Sequence, residues 1–236
     1  MKRLAIFFIL ISCISTVNAQ QLEWVFGIGS TDEKADDEVI ASVVDTMNNV
    51  YITGTFDDIA NFNPSGGAYF LDAYGNATSN HDLFLAKYTS QKEIFWAFKL
   101  SAVGKVNPRC LAVDNNQNIY VSGYVTGNSS GDSLDFDPGV GVANHSLGSS
   151  GLSFIAKYDV NGNFVWAIDS IGAIRMVTDN SGNLFFSDGT NIGKRDSNGN
   201  LLWSYPYASG LAKIEVEDDG DLLVTDRSYN SIDLNP

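Results

Sequence analysis

The chain has 236 residues, with 28 acidic side chains against 14 basic ones and a formal net charge of −14. A surface so acidic repels phosphate backbones and anionic lipid, which excludes nucleic acid and charged bilayers as partners and leaves neutral glycans, proteins and divalent cations. The apolar fraction of 44% is enough for a packed core, and aromatic residues are plentiful.

The first element is a leader. "MKRLAIFFILISCISTVNA" opens with Lys2 and Arg3, continues with an apolar run from Leu4 to Ile11, and ends on small residues, with Val17 and Ala19 before the expected cleavage point. This predicts a secretory signal peptide over 1–19 and a mature chain from Gln20, exported to the medium or the cell surface. An alternative makes Cys13 a lipidation site. No stretch reaches the roughly 18 apolar residues of a spanning helix. Beyond the leader only Cys110 remains, so neither an internal disulfide nor a cysteine zinc site can form.

From there the chain repeats itself. "LEWVFGIG" around Trp24 reads as a single strand. "VVDTMNNVYITGTF" from Val43, "LAVDNNQNIYVSGYV" from Leu111, "MVTDNSGNLFFSDGT" from Met176 and "IEVEDDGDLLVTDRS" from Ile214 each read as strand, polar turn, strand, with Asp45, Asp114, Asp179 and Glu217 opening the turns. A second type of hairpin lies between them. "DLFLAKYTSQKEIFWAFKL" from Asp82 matches "LSFIAKYDVNGNFVWAIDS" from Leu152, and "NIGKRDSNGNLLWSYPY" from Asn191 is a shorter copy. Trp96, Trp166 and Trp203 mark the second strand of each, where they are expected to form core between units rather than a sugar-stacking series. A hairpin, a connector and a second hairpin make a four-stranded meander, and no stretch of helical period follows the leader. Tandem units of this kind predict an all-β chain of propeller blades: three four-stranded antiparallel blades and part of a fourth, drawn from residues 21–27 and 39–236, in an incomplete ring. On this reading Trp24 is the strand that closes a last blade.

The hairpin–connector–hairpin unit, and "DLFLAKYTSQKEIFWAFKLSAVGKVNPRCLAVDNNQNIYVSGYVTG" in particular, resembles the bacterial SBBP-type β-propeller repeat. The "DFDPG" connector is similar to repeats in secreted proteins of the Bacteroidetes. The resemblance runs over nearly the whole mature chain and implies the fold, with little about activity. The third copy departs from it: "SDGT" replaces the expected Thr-Gly pair and the connector is missing.

"ITGTFDDIANFNP" (52–64) aligns without a gap with the final "VTDRSYNSIDLNP" (224–236), so the chain ends inside a connector, and further blades are expected to follow. Roughly four to eight blades close a ring.

Sites of chemistry are sparse. His81 and His145 lie in connectors, neither near a serine or cysteine in a recognisable nucleophile setting, and "GIGSTD" from Gly27 lacks the third glycine and the helix of a phosphate loop, so a bend after a strand is expected there. "DSLDFDPG" places Asp132, Asp135 and Asp137 close together, and these are weak calcium candidates, because hard oxygen ligands suit that ion. No closing glutamate completes a calcium loop, and an Asp-Pro-Gly turn with Phe136 packed under a blade accounts for the segment, as do Phe62 and Leu234 at the matching positions. The expected function is a secreted or cell-surface, non-catalytic scaffold that binds protein or glycan, without cofactor, through the long connectors 57–81 and 125–151. The alternative is an extracellular glycan hydrolase or lyase with acidic residues around a central channel.

Overall fold

The computed structural model describes residues 27–30, 36–73, 81–126, 132–148, 150–207, 213–217 and 219–225. The leader with Cys13, the Trp24 strand and the closing "SIDLNP" lie outside them. Every regular element among the described residues is a strand.

Blade 1 is a sheet of β2 (Glu38–Val44), β3 (Val50–Phe56), β6 (Asp82–Tyr88) and β7 (Ile94–Leu100), in that order and antiparallel throughout. Blade 2 repeats it with β8 (Val106–Val113), β9 (Ile119–Val125), β12 (Leu152–Tyr158) and β13 (Phe164–Asp169). Blade 3 is shorter: β14 (Arg175–Thr178), β15 (Leu184–Ser187), β16 (Asn191–Arg195) and β17 (Leu201–Pro206). A hairpin of β18 (Lys213–Val216) and β19 (Leu222–Thr225) begins a fourth. The first strands β2, β8, β14 and β18 run side by side, so successive blades meet along their inner edges.

The connectors are more than loops. In connector 1, β4 (Ile59–Asn61) pairs with β5 (Phe70–Asp72) and with β1 (Gly29–Ser30). The expected bend at Gly29–Ser30 is therefore a short strand, because it finds Ala60 and Asn61 as ladder partners. In connector 2, β10 (Ser133–Asp135) pairs with β11 (Asn144–Ser146). Each small sheet drives apolar residues inward: Ala60 and Phe62 against blade 1, and Leu134, Phe136 and Leu147 into the core between blades 1 and 2. Tyr88 Oη donates to Phe62 O and Tyr158 Oη to Phe136 O, both at 2.9 Å.

Blade 3 has no connector, and its sequence has adjusted. The position of Tyr88 and Tyr158 is Arg195, whose guanidinium NH1 donates to Gly199 O at 2.8 Å while its buried Nε has no partner among the described residues. Phe186 stands where blades 1 and 2 have Ile52 and Val121, and Gly193 stands opposite it where they have Ala86 and Ala156. A Cβ on Gly193 would lie 2.5 Å from the Phe186 ring, so the larger residue on one strand requires the smaller one on the next.

Candidate functional site

Aspartate carboxylates frame five of the hairpin turns among the described residues. In the Asp45, Asp114 and Asp179 turns, Oδ1 accepts the backbone N–H groups two and four residues on, and Oδ2 accepts the amide of Asn49, Asn118 or Asn183 at 2.8 Å. Asp159 and Asp196 repeat the pattern with Asn163 and Asn200. Burial opposes ionisation of Asp159 and Asp179, yet these hydrogen bonds, joined at Asp179 by the Lys194 ammonium, outweigh it and hold both below the usual carboxylate range. The aspartates thus act as turn frames, which is why Asp and Asn recur at a spacing of four.

Behind the turns lies a cluster that pattern reading missed. Lys87 and Lys157, from the repeated Ala-Lys-Tyr strand, are buried. Lys157 Nζ donates to Ser197 O (2.9 Å), lies 3.8 Å from Asp114 Oδ2 and sits 4.9 Å from the centre of the Tyr120 ring. Lys87 bonds Gln117 Oε1 (3.1 Å) and Val160 O (3.4 Å) over Tyr51. Burial lowers both lysine pKa values, opposed by Asp45 for Lys87 and by Asp114 and Asp196 for Lys157. In blade 3 Lys194 lies 3.1 Å from Asp179 Oδ2 and over Phe185. The signal was available: a lysine at one place in a strand that is otherwise apolar.

The tryptophans join the same device. Trp96 Nε1 donates to Val160 O (3.1 Å) and Trp166 Nε1 to Ser197 O (3.2 Å), so in blades 1 and 2 tryptophan and lysine grip one carbonyl in the outer turn of the next blade. Gly162 and Gly199, in the left-handed region at φ 83° and 86°, let those turns lie flush on the rings; an added Cβ would come within 3.1 Å of them. Tyr51 and Tyr120 also reach across, to Gln117 O (3.4 Å) and Gly182 O (3.2 Å). Lys87 and Lys157, Trp96 and Trp166, and Tyr51 and Tyr120 are thus committed to holding blades together.

The calcium candidates sit at the connector turn. Asp135 Oδ1 accepts from Asp137 N (3.0 Å) and Ala143 N (2.8 Å), and Asp137 Oδ1 from Gly139 N (2.8 Å). Asn61 and Asn63 do the same work in connector 1, accepting from Asn63 N, Tyr69 N and Ser65 N. Asp132 holds Leu147 N through its backbone carbonyl. No cluster of three His, Cys, Asp or Glu side chains suited to a metal occurs among the described residues. His81 Nε2 lies 2.8 Å from Asn107 Oδ1 and His145 Nδ1 lies 3.2 Å from Asp169 Oδ2, both tying loops to blades. A pocket of about 30 Å³ between β1, β2 and connector 1, lined by Ile28, Asp37, Phe56 and Phe62, has room for about one water molecule.

No family model matches the chain. Over 140 residues it is 29% identical to an uncharacterised WD repeat-containing protein of Acanthamoeba polyphaga mimivirus, a match that takes in 55% of this chain and 10% of that protein. Among solved structures it is similar to a protein of unknown function from Bacteroides caccae (TM-score 0.43, 12% identity, 80% of this chain and 53% of that one). It is also similar to a gluconolactonase from Xanthomonas campestris (TM-score 0.39, 17% identity, 78% of this chain and 52% of that one). The chain therefore spans a tenth of the viral protein and about half of each solved chain. Its own geometry, with one antiparallel meander repeated and locked blade to blade, makes it a β-propeller-like repeat protein.

Proposed function

We propose that this chain is a secreted or cell-surface binding scaffold of the SBBP repeat type, similar to secreted Bacteroidetes proteins, which presents a blade face to a protein or glycan ligand without performing catalysis. The observation that carries this reading is the use of the ionisable groups. The turn aspartates, the blade lysines and the tryptophans are bonded into hairpins and blade contacts, so they are not free to exchange protons with a substrate. Export rests on the leader over 1–19. The test is to purify the secreted chain, screen it against immobilised glycans and extracellular proteins, and follow the same ligands for cleavage. Saturable binding without product supports the reading, and turnover of a bound ligand by the purified protein overturns it.

A further inference from the structure

The connector that blade 3 lacks leaves a mark on blade 2. Between blades 1 and 2 the top of the crevice is filled by Leu134, Phe136 and Leu147 of connector 2, which pack on Leu83 and Leu100 of blade 1. The ladder registers make Ser153 the counterpart of Leu83, since Leu83 pairs with Thr55 and Ser153 with Tyr124. Four residues beyond the conserved spacing of Trp96 and Trp166, Leu100 corresponds to Ser170. Leu100 is buried and Ser170 is exposed. Two leucines that receive a connector have become two serines where no connector arrives, so the crevice between blades 2 and 3 is polar at its mouth. Ser170 has φ 64°, and of the four non-glycine residues with positive φ among those described, it alone lies outside a hairpin turn.

The Arg109 guanidinium lies in this region beside Gly172, and Arg175 opens the first strand of blade 3 three residues further on. Arg109 is the extra residue where the β8–β9 register shifts between Pro108 and Cys110. A bulge re-aims its side chain, and the Arg109 guanidinium stacks on Tyr124 at 4.9 Å with one long bond, 3.5 Å, from NH1 to Gly172 O. Arg175 opens β14 and donates to Ile174 O at 2.9 Å. Both arginines are exposed. Inside the crevice the Cys110 thiol, bonded to Ala173 O at 3.4 Å, is pushed up to about 12 by burial and drawn down by the charges of Arg175 and Arg109. Acidic residues outnumber basic ones two to one in this chain, yet neither arginine has a carboxylate partner among the described residues.

We propose that the mouth of the crevice between blades 2 and 3 binds the carboxylate of an acidic saccharide, a hexuronate unit, with Arg109 and Arg175 as its charge partners and Ser153 and Ser170 meeting its hydroxyls. A guanidinium fork matches a planar carboxylate. The mouth carries hydroxyls in place of the apolar pockets that a peptide side chain would need, which favours a sugar. The chain's net charge of −14 disfavours long polyanions and admits a short acidic unit. This site rests on the scaffold reading above.

The probe is trigalacturonate, titrated calorimetrically into the secreted chain at low salt, with its methyl ester and an Asp-rich peptide alongside. The expected result is binding with Kd on the order of 0.1 mM. The ester and the peptide should not bind. Arg109→Gln and Arg175→Gln should each weaken binding about tenfold, and Arg109→Lys should weaken it nearly as much, since it keeps the charge and loses the fork. Melting curves of the variants, unchanged because both side chains are exposed, separate lost binding from lost fold. No binding up to about 10 mM, equal binding of the ester, preference for the peptide, or wild-type affinity in both Arg→Gln variants overturns the site. Appearance of an unsaturated uronate product would instead overturn the non-catalytic reading and leave the site standing.

Discussion

At the residue scale, an aspartate four positions before an asparagine writes a hairpin turn. Asn61 and Asn63 replace Asp135 and Asp137 with the same bonds, so charge is dispensable at that turn. The double change Asp135→Asn, Asp137→Asn is therefore expected to keep the melting temperature within about 3 °C of wild type, an energy difference below about 1 kcal/mol, with added calcium moving neither protein. A calcium-dependent rise confined to the wild type would make 132–137 a metal site instead. Charge matters more at Asp159 and Asp179, whose folded pKa values are lowered by their turn hydrogen bonds and, at Asp179, by Lys194. A carboxylate lowered in the folded state stabilises above its unfolded pKa, near 3.9, and that stabilisation disappears as pH falls through the lower folded value. Asp159→Asn with Asp179→Asn should thus lose stability relative to wild type at pH 7, and the gap should close as the melts are repeated towards pH 2.

At the element scale, the blade contact is a repeated clasp. Truncating Trp96 to Ala should cost about 3–5 kcal/mol, the usual cost of deleting a buried large aromatic. Changing it to Phe should cost less, chiefly the Nε1 bond to Val160 O, about 1 kcal/mol. Denaturant melts of the two variants measure the difference. Blade 3 offers a sharper test. Gly193→Ala should destabilise by about 1–3 kcal/mol through overpacking against Phe186, and Phe186→Val should rescue it, because the pair is one fitted unit. Additive losses in the double variant would show that the two positions are uncoupled. The hairpins were legible in the sequence because turn chemistry and strand alternation are local. The clasp was not, because Lys157, Trp166 and the Ser197 carbonyl meet only when two blades pack. The connectors read as polar loops suited to a ligand, and their described parts form small sheets that bury Phe62 and Phe136. A lone aromatic between Asp or Asn residues gives no sign that a tyrosine on another strand will hold its carbonyl.

At the scale of the molecule, cooperativity should decline along the array. Blade 2 is clasped on both faces, whereas the β18–β19 hairpin is held through Phe185, Ile192 and Tyr207 of blade 3 against Ile214. Amide exchange is therefore expected to be slowest in β9 and β12 and fastest in β18 and β19, with opening energies graded between them. Uniform protection across all the described strands would show a single cooperative unit.

The residue after the strand lysine has a meaning beyond this chain's own stability. Tyrosine at 88 and 158 accompanies a connector, and arginine at 195 accompanies its loss. Blade 3 forms its four-stranded sheet without that insert, so the insert is a detachable module and the blade a chassis for it. In related arrays this one letter should forecast which crevices are roofed and which stand open. A designer could use it likewise: grafting residues 126–151 between β15 and β16, with Arg195→Tyr, Ser153→Leu and Ser170→Leu to receive them, would close the crevice between blades 2 and 3 with a roof the protein already knows how to build.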